Sequence, residues 1–328
     1  MNCFACPDLL DGNRDPKRRF APHSKALRAT ATGVCRYNPR MVILVFVDGV
    51  GIGRRGLQNP LDGVDSPYFS VFENEAFRTA LRGAMAITDT RLGVEGLPQS
   101  ATGQTTIITG LNAAAHLGRH LSAFPGGSLR PLLESSSLFR TLSARGLRTA
   151  HANVAPSTIA RRRVRTVSAT AIAAESAGLP LRTLDDLASG RALHHEFTNA
   201  SLRAYGFDVE EITPAEAGRR LAEIAAGVDF CAFEYFLTDA AGHDADFAAA
   251  RSRIAQLDEF LDALLSSTDL DADHVLLTSD HGNLEDLSSG SHTLNPVATT
   301  VWGPEAADVA SSIRSLADIA PAVAALAV

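Results

Sequence analysis

Residues 42–53 read VILVFVDGVGIG, six consecutive apolar residues followed by an acid and a run of glycines. A strand that is apolar at every position, without the alternation of a half-exposed one, has both faces covered. That is the signature of a central strand in an α/β sheet. The glycine-bearing turn after it opens a βα unit. The same rhythm returns along the chain: AMAIT at 84–88, TAHANV at 149–154, DFCAFEYFLT at 229–238, HVLLTS at 274–279 and ATTVWG at 298–303. Helical stretches are expected at about 69–82, from Thr105, at 129–145, from Pro214, at 245–265 and over the closing SSIRSLADIAPAVAALA. The expected fold is therefore α/β, a mostly parallel central sheet flanked by helices. Residues 41–154 and 212–328 form the core. The strand-helix alternation lapses over 155–211, read as a small inserted cap.

Metal-ligating side chains cluster at the ends of these segments. Asp48 ends the first strand, Ser100 lies in the loop LPQSATGQ, Asp239 and His243 share FLTDAAGH, Asp280 and His281 end LLTSDHGN, and His292 sits in SGSHTLNP. Open α/β sheets build their sites at the carboxyl ends of their strands, so these groups are expected to converge. Each string alone has an ordinary reading. Asp-Gly closes turns and Asp-x-x-x-His occurs on many helices, but adjacent Asp280 and His281 at the end of an apolar strand need a partner there.

In order and spacing the set resembles the alkaline phosphatase superfamily of two-metal enzymes, and within it the branch of cofactor-independent phosphoglycerate mutase and phosphopentomutase. The resemblance covers roughly residues 41–113 and 212–303. It implies two divalent ions, manganese or zinc, one held by Asp239, His243 and His292 and the other by Asp48, Asp280, His281 and the Ser100 oxygen. It also implies phosphoryl transfer through a phosphoserine on Ser100, ending in phosphoester hydrolysis or in a mutase reaction. Thr102 is the competing hydroxyl. Gln104 stands where the mutases carry a histidine, and an amide can donate a hydrogen bond to a phosphoryl oxygen but cannot carry a proton. Phosphoglycerate mutases of this branch also use an active-site lysine and a much larger insertion, whereas this chain has lysine only at Lys17 and Lys25. A hydrolase, or a mutase for another substrate, is the reading that follows. The alternatives are a non-catalytic metal-binding relative and a sulfuryl or phosphodiester hydrolase.

A small phosphorylated substrate also needs cations. The run Arg161, Arg162, Arg163 and Arg165 opens the cap; such runs are commonly a solvated face, but this is the densest local supply. Arg119, with His120, and Asn153 at a strand end are further candidates, while His194 and His195 are expected on the surface. The first 40 residues carry eight Lys or Arg against three Asp, although the whole chain has a net charge of −7. The acidic body argues against a nucleic-acid partner. The basic head is read as a mis-assigned start or a disordered extension, with Cys3, Cys6 and Cys35 lacking regular zinc-site spacing, and Cys231 as core packing. No apolar run spans a bilayer and no secretory signal is evident, so no membrane association and a cytoplasmic location are expected.

Overall fold

The computed structural model describes residues 40–76, 79–155 and 167–327, all within the compact unit 39–328. The readings of the basic head and of the Arg161–Arg165 run lie outside the described residues.

Among the described residues six strands form one mixed, mostly parallel sheet: β1 (Val42–Val47), β2 (Ala84–Thr88), β3 (Thr149–His151), β4 (Phe230–Tyr235), β5 (His274–Thr278) and β6 (Val297–Trp302), in the order β2-β6-β5-β1-β4-β3. Pairs β1/β4, β1/β5 and β3/β4 are parallel, whereas β6 runs antiparallel to both β5 and β2. Every residue of β1 is buried, as its unbroken apolar run requires. Ile43, Val45 and Val47 point into one apolar cluster, and Val42, Leu44 and Phe46 into a second on the other face.

The first face is covered by two helices, Pro214–Ala225 and Phe247–Ser266, through Leu221, Ile254, Leu257, Phe260 and Leu261. Helices Ser100–Thr109 (α1) and Leu138–Ala144, with the C-terminal Ile319–Leu326, cover the second. Burying each large side chain contributes about 1.5–3 kcal/mol, which makes these two layers the main stabilising element.

Several expected boundaries shift. No helix spans the described part of 69–82; only the short turn Ala80–Arg82 is helical. The helix expected over 129–145 is two, Arg130–Ser136 and Leu138–Ala144, broken where the Ser137 side chain caps the second. Over the closing 311–327, a preceding helix, Ala306–Ser312, ends and a separate one, Ile319–Leu326, follows. Ser100 is not in a loop before a helix starting at Thr105, because it is itself the first residue of α1.

Within 155–211, the helix Ala169–Ser176 joins the second apolar layer, and Leu187, Leu202 and Val209 form a small cluster with Val154. Phe197 stacks on Phe260 at 4.8 Å and on Tyr235 at 5.1 Å, which ties this segment to the main core. Among the described residues no helix is long and apolar enough to cross a membrane.

Candidate metal centre and active site

The ligand-bearing segments meet where β5, β1 and β4 end side by side. Asp48 follows β1, its N–H bonded to the Tyr235 carbonyl at the end of β4. The chain then turns at Gly49, whose φ of +72° is left-handed and whose missing Cβ matters: one there would lie 2.7 Å from Asp239 Oδ1. Asp239 and His243 sit one turn apart on the short helix Leu237–His243, only the first two residues of which fall within the strand expected over 229–238. Thr238 Oγ1 donates to the Asp48 carbonyl and locks this helix to the β1 end.

Among the described residues two groups have ligand atoms within 4.8 Å of one another: Asp239, His243 and His292, and Asp48, Asp239 and His281. The first is the expected set. In the second, Asp239 is shared where Asp280 was expected. Asp280 remains close, with Oδ2 3.5 Å from His281 Nε2. Ser100 Oγ lies 2.9 Å from the same nitrogen, and Asp48 Oδ1 3.3 Å from it.

The geometry of the imidazoles fits a cation. His243 Nδ1 donates to the Gly290 carbonyl and His292 Nδ1 to the Pro98 carbonyl, each within 2.9 Å. A carbonyl only accepts, so in a neutral ring each Nε2 carries a lone pair. Those two Nε2 atoms are 3.2 Å apart and both face Asp239. Two lone pairs at that distance repel unless a proton or cation lies between them, and carbonyl-held imidazoles are the usual outer support of a metal ligand.

The carboxylates fit as well. Burial, then neighbouring Asp239, pushes the Asp48 carboxyl well above its usual range, and burial with Asp48 does the same to Asp280. Burial also opposes the charge on Asp239, but His292, His281, Asn283 and His243 outweigh it and hold that carboxyl at about 2. Asp48 Oδ1 is buried without a hydrogen-bond partner.

Gln104 and Thr102 separate clearly. The Gln104 amide donates to Asp48 Oδ2 at 3.2 Å and to Asp280 Oδ2 at 3.4 Å, so it is directed at the carboxylates. Thr102 is fully buried, its hydroxyl donating to the Gln99 carbonyl and accepting from Leu121 N–H, and it is absent from the cavity wall. Ser100, at the N-terminus of α1, is on that wall. The close approach of α1 to the β5 end depends on Gly103, where a Cβ would lie 2.8 Å from that of Asp280.

The wall encloses a cavity of about 950 Å³. Arg119 is exposed and does not line it, and the Asn153 side chain is spent on the backbone of Glu234, accepting from its N–H and donating to its carbonyl. His194 and His195 were expected on the surface. They line this cavity instead, because β-bridges to Arg182 and Leu193 fold their segment back over the end of β3.

The sequence reading also missed Asn283, which donates to Asp239 Oδ1 at 2.6 Å, and Glu285. The Glu285 carboxylate accepts from Gly51 N–H, Asn283 N–H, Thr293 Oγ1 and Asn295 Nδ2, fastening together three ligand-bearing loops. Its only sequence signal was its place after Asp-His-Gly-Asn.

Residues 203–327 match the model of the Metalloenzyme superfamily. The 2,3-bisphosphoglycerate-independent phosphoglycerate mutase of Natronomonas pharaonis is 36% identical over 101 residues, 28% of this chain and 20% of that protein. The same enzyme from Dinoroseobacter shibae is 36% identical over 111 residues, 31% of this chain and 22% of that protein. The matched region thus spans about a fifth of these curated relatives.

Among solved structures, the PH0037 protein from Pyrococcus horikoshii superposes with a TM-score of 0.54 at 16% identity, covering 88% of this chain and 96% of that one. The alkaline phosphatase of the Antarctic bacterium TAB5 gives 0.52 at 14%, covering 88% and 98%. These last two likenesses speak to fold. The likeness to the Metalloenzyme superfamily thus lies in residues 203–327, the fold is alkaline phosphatase-like, and the similarity to cofactor-independent phosphoglycerate mutase is distant and partial.

Proposed function

We propose that the chain is a two-metal-dependent phosphoryl-transfer enzyme that works through a phosphoserine on Ser100 and acts on a small phosphorylated substrate. The observation that carries this reading is the position of Ser100 Oγ, 2.9 Å from His281 Nε2 and beside two ligand triads that share Asp239. Asp239, His243 and His292 would hold one divalent ion, manganese or zinc, and Asp48, His281 and neighbouring Asp280 the other. When bound, such a pair supplies Lewis acidity, lowering the pKa of a hydroxyl and offsetting charge on the transferring group.

The protein supplies the rest. Ser100 Oγ gives its proton to cavity water and attacks phosphorus; the Oγ–P bond forms as the ester P–O bond breaks, and the leaving oxygen takes a proton from cavity water. The first N–H groups of α1 would receive the phosphoryl oxygens. Attack by water then regenerates Ser100 and releases phosphate, whereas attack by a second substrate hydroxyl completes a mutase cycle. Hydrolysis is favoured, since the chain carries no lysine beyond Lys25.

The test is acid quench of the metal-loaded protein with a phosphomonoester, followed by peptide mapping. Phosphate is expected on Ser100, with turnover in Ser100→Ala lower by several orders of magnitude and ion content retained. Phosphate on Thr102, or full activity of Ser100→Ala, would overturn the assignment.

A further inference from the structure

Both ligand triads are tied to one side chain that belongs to neither. Glu285 closes the run DHGNLE and is 2% exposed. Its Oε2 accepts from Gly51 N–H at 2.8 Å and from Asn283 N–H at 2.9 Å, and its Oε1 from Thr293 Oγ1 and from Asn295 Nδ2 at 3.0 Å. All four donors are neutral. Such bonds weaken steeply with angle, so they fix the position of each donor as an ion pair would not. The socket is cleared for this side chain. A Cβ on Gly53 would lie 2.7 Å from Glu285 Cγ, and one on Gly51 or Gly282 would meet the carboxylate more closely still. Only glycine lets the backbone of both loops come this near.

Each anchor stands beside a ligand. Gly51 is three residues past Asp48, Asn283 is two past His281, and Thr293 directly follows His292. One carboxylate oxygen therefore holds the loops of Asp48 and His281, and the other holds the loop of His292, which belongs to the other triad. The Thr293 N–H also bonds the Gly282 carbonyl at 2.9 Å, joining the same two loops. The Asn283 side chain carries the network on to Asp239 Oδ1, the carboxylate that the triads share.

We infer that Glu285 is a positioning residue that couples the two ion sites, holding the His292 loop of one triad in register with the Asp48 and His281 loops of the other. This rests on the two-metal reading and adds to it how the pair of sites is held. An in-line displacement needs its two ions about 3.5–4 Å apart, a spacing that neither triad can set alone. Loss of outer hydrogen bonds of this kind lowers ion affinity about 10–100-fold.

The test is calorimetric titration of the full chain with manganese, together with the electron paramagnetic resonance of the bound ions. The wild type is expected to take two ions per chain and to give a spin-coupled spectrum. Thr293→Val, close in shape but without the hydroxyl, should weaken one binding step about tenfold or more and alter the spin coupling, with the ion-free melting temperature changed by no more than a few degrees. Thr293→Ser, which keeps the hydroxyl, should restore both. Glu285→Gln turns an amide NH2 toward two of the four donors and should weaken both steps; should it not fold, the two Thr293 variants decide alone. Both steps within about threefold of wild type in Thr293→Val, or Thr293→Ser binding as weakly as Thr293→Val, would overturn the inference. So would a folded Glu285→Gln that melts lower yet binds ions as the wild type does, since Glu285 would then be a structural brace only. Fewer than two ions on the wild type would instead bring down the two-metal reading, and the coupling with it.

Discussion

Gln104→Ala is the perturbation that most directly probes how the centre is held. The amide is 5% exposed and donates to one oxygen of each of two buried carboxylates, at 3.2 and 3.4 Å. Hydrogen bonds to charged groups contribute about 1.5–3 kcal/mol each, and these lengths place both at the weak end. With ions present, what is lost is the orientation of Asp48 and Asp280, and removing such outer support lowers metal affinity about 10–100-fold. That corresponds to roughly 1.4–2.8 kcal/mol, consistent with one or two weakened bonds. Ion affinity is measured by competition against a chromophoric chelator, with the melting curve of the ion-free protein as a control for folding. An affinity within about threefold of wild type would refute the idea that Gln104 positions these carboxylates.

Three further outcomes are expected. Gly103→Ala places a methyl group 2.8 Å from the Asp280 Cβ, so ion affinity should fall while the melting temperature drops by a few degrees; unchanged ion binding would show that α1 can retreat. Glu285→Ala leaves four donors without their acceptor and should cost about 3 kcal/mol or more in chemical denaturation, a loss below 1 kcal/mol arguing against its fastening role. The Asp258 carboxyl is pushed up to about 7 by burial and by Asp262 and Asp65, against the hydrogen bond from Ser66. A folded-state pKa raised above the ordinary 3.8 gives stability that is complete below that value and lost as pH rises through about 7. Asp258→Asn, which keeps an acceptor for Ser66, should therefore melt higher than wild type at pH 8 and lose less between pH 5 and 8; an unchanged pH dependence refutes this.

The sheet and the convergence of the candidate ligand residues were legible in the sequence for one physical reason. A strand buried on both faces, such as β1 or β5, is an unbroken apolar run, and a polar residue at its end stands out against it. The helices fared less well where boundaries depend on local hydrogen bonds, as at Ser137, whose side chain starts a new helix inside an otherwise continuous pattern. His194 and His195 looked like surface residues because nothing in their neighbours reveals the bridges that fold the segment over β3. Glu234 was hidden for the opposite reason: within FCAFEY it reads as an interruption of a strand, and its pairing with Ser168 and His151 exists only in three dimensions.

The ligand positions run from Asp48 to His292 and rest on three neighbouring strand ends, so no excised fragment of the fold contains the site. Ions that bind only the assembled sheet must raise its unfolding free energy by mass action, about 2.7 kcal/mol for each site at a free concentration one hundred times its dissociation constant. Occupancy of the centre is therefore readable from a thermal shift alone. Because the triads share Asp239, the concentration dependence of that shift also carries the coupling between the two binding events.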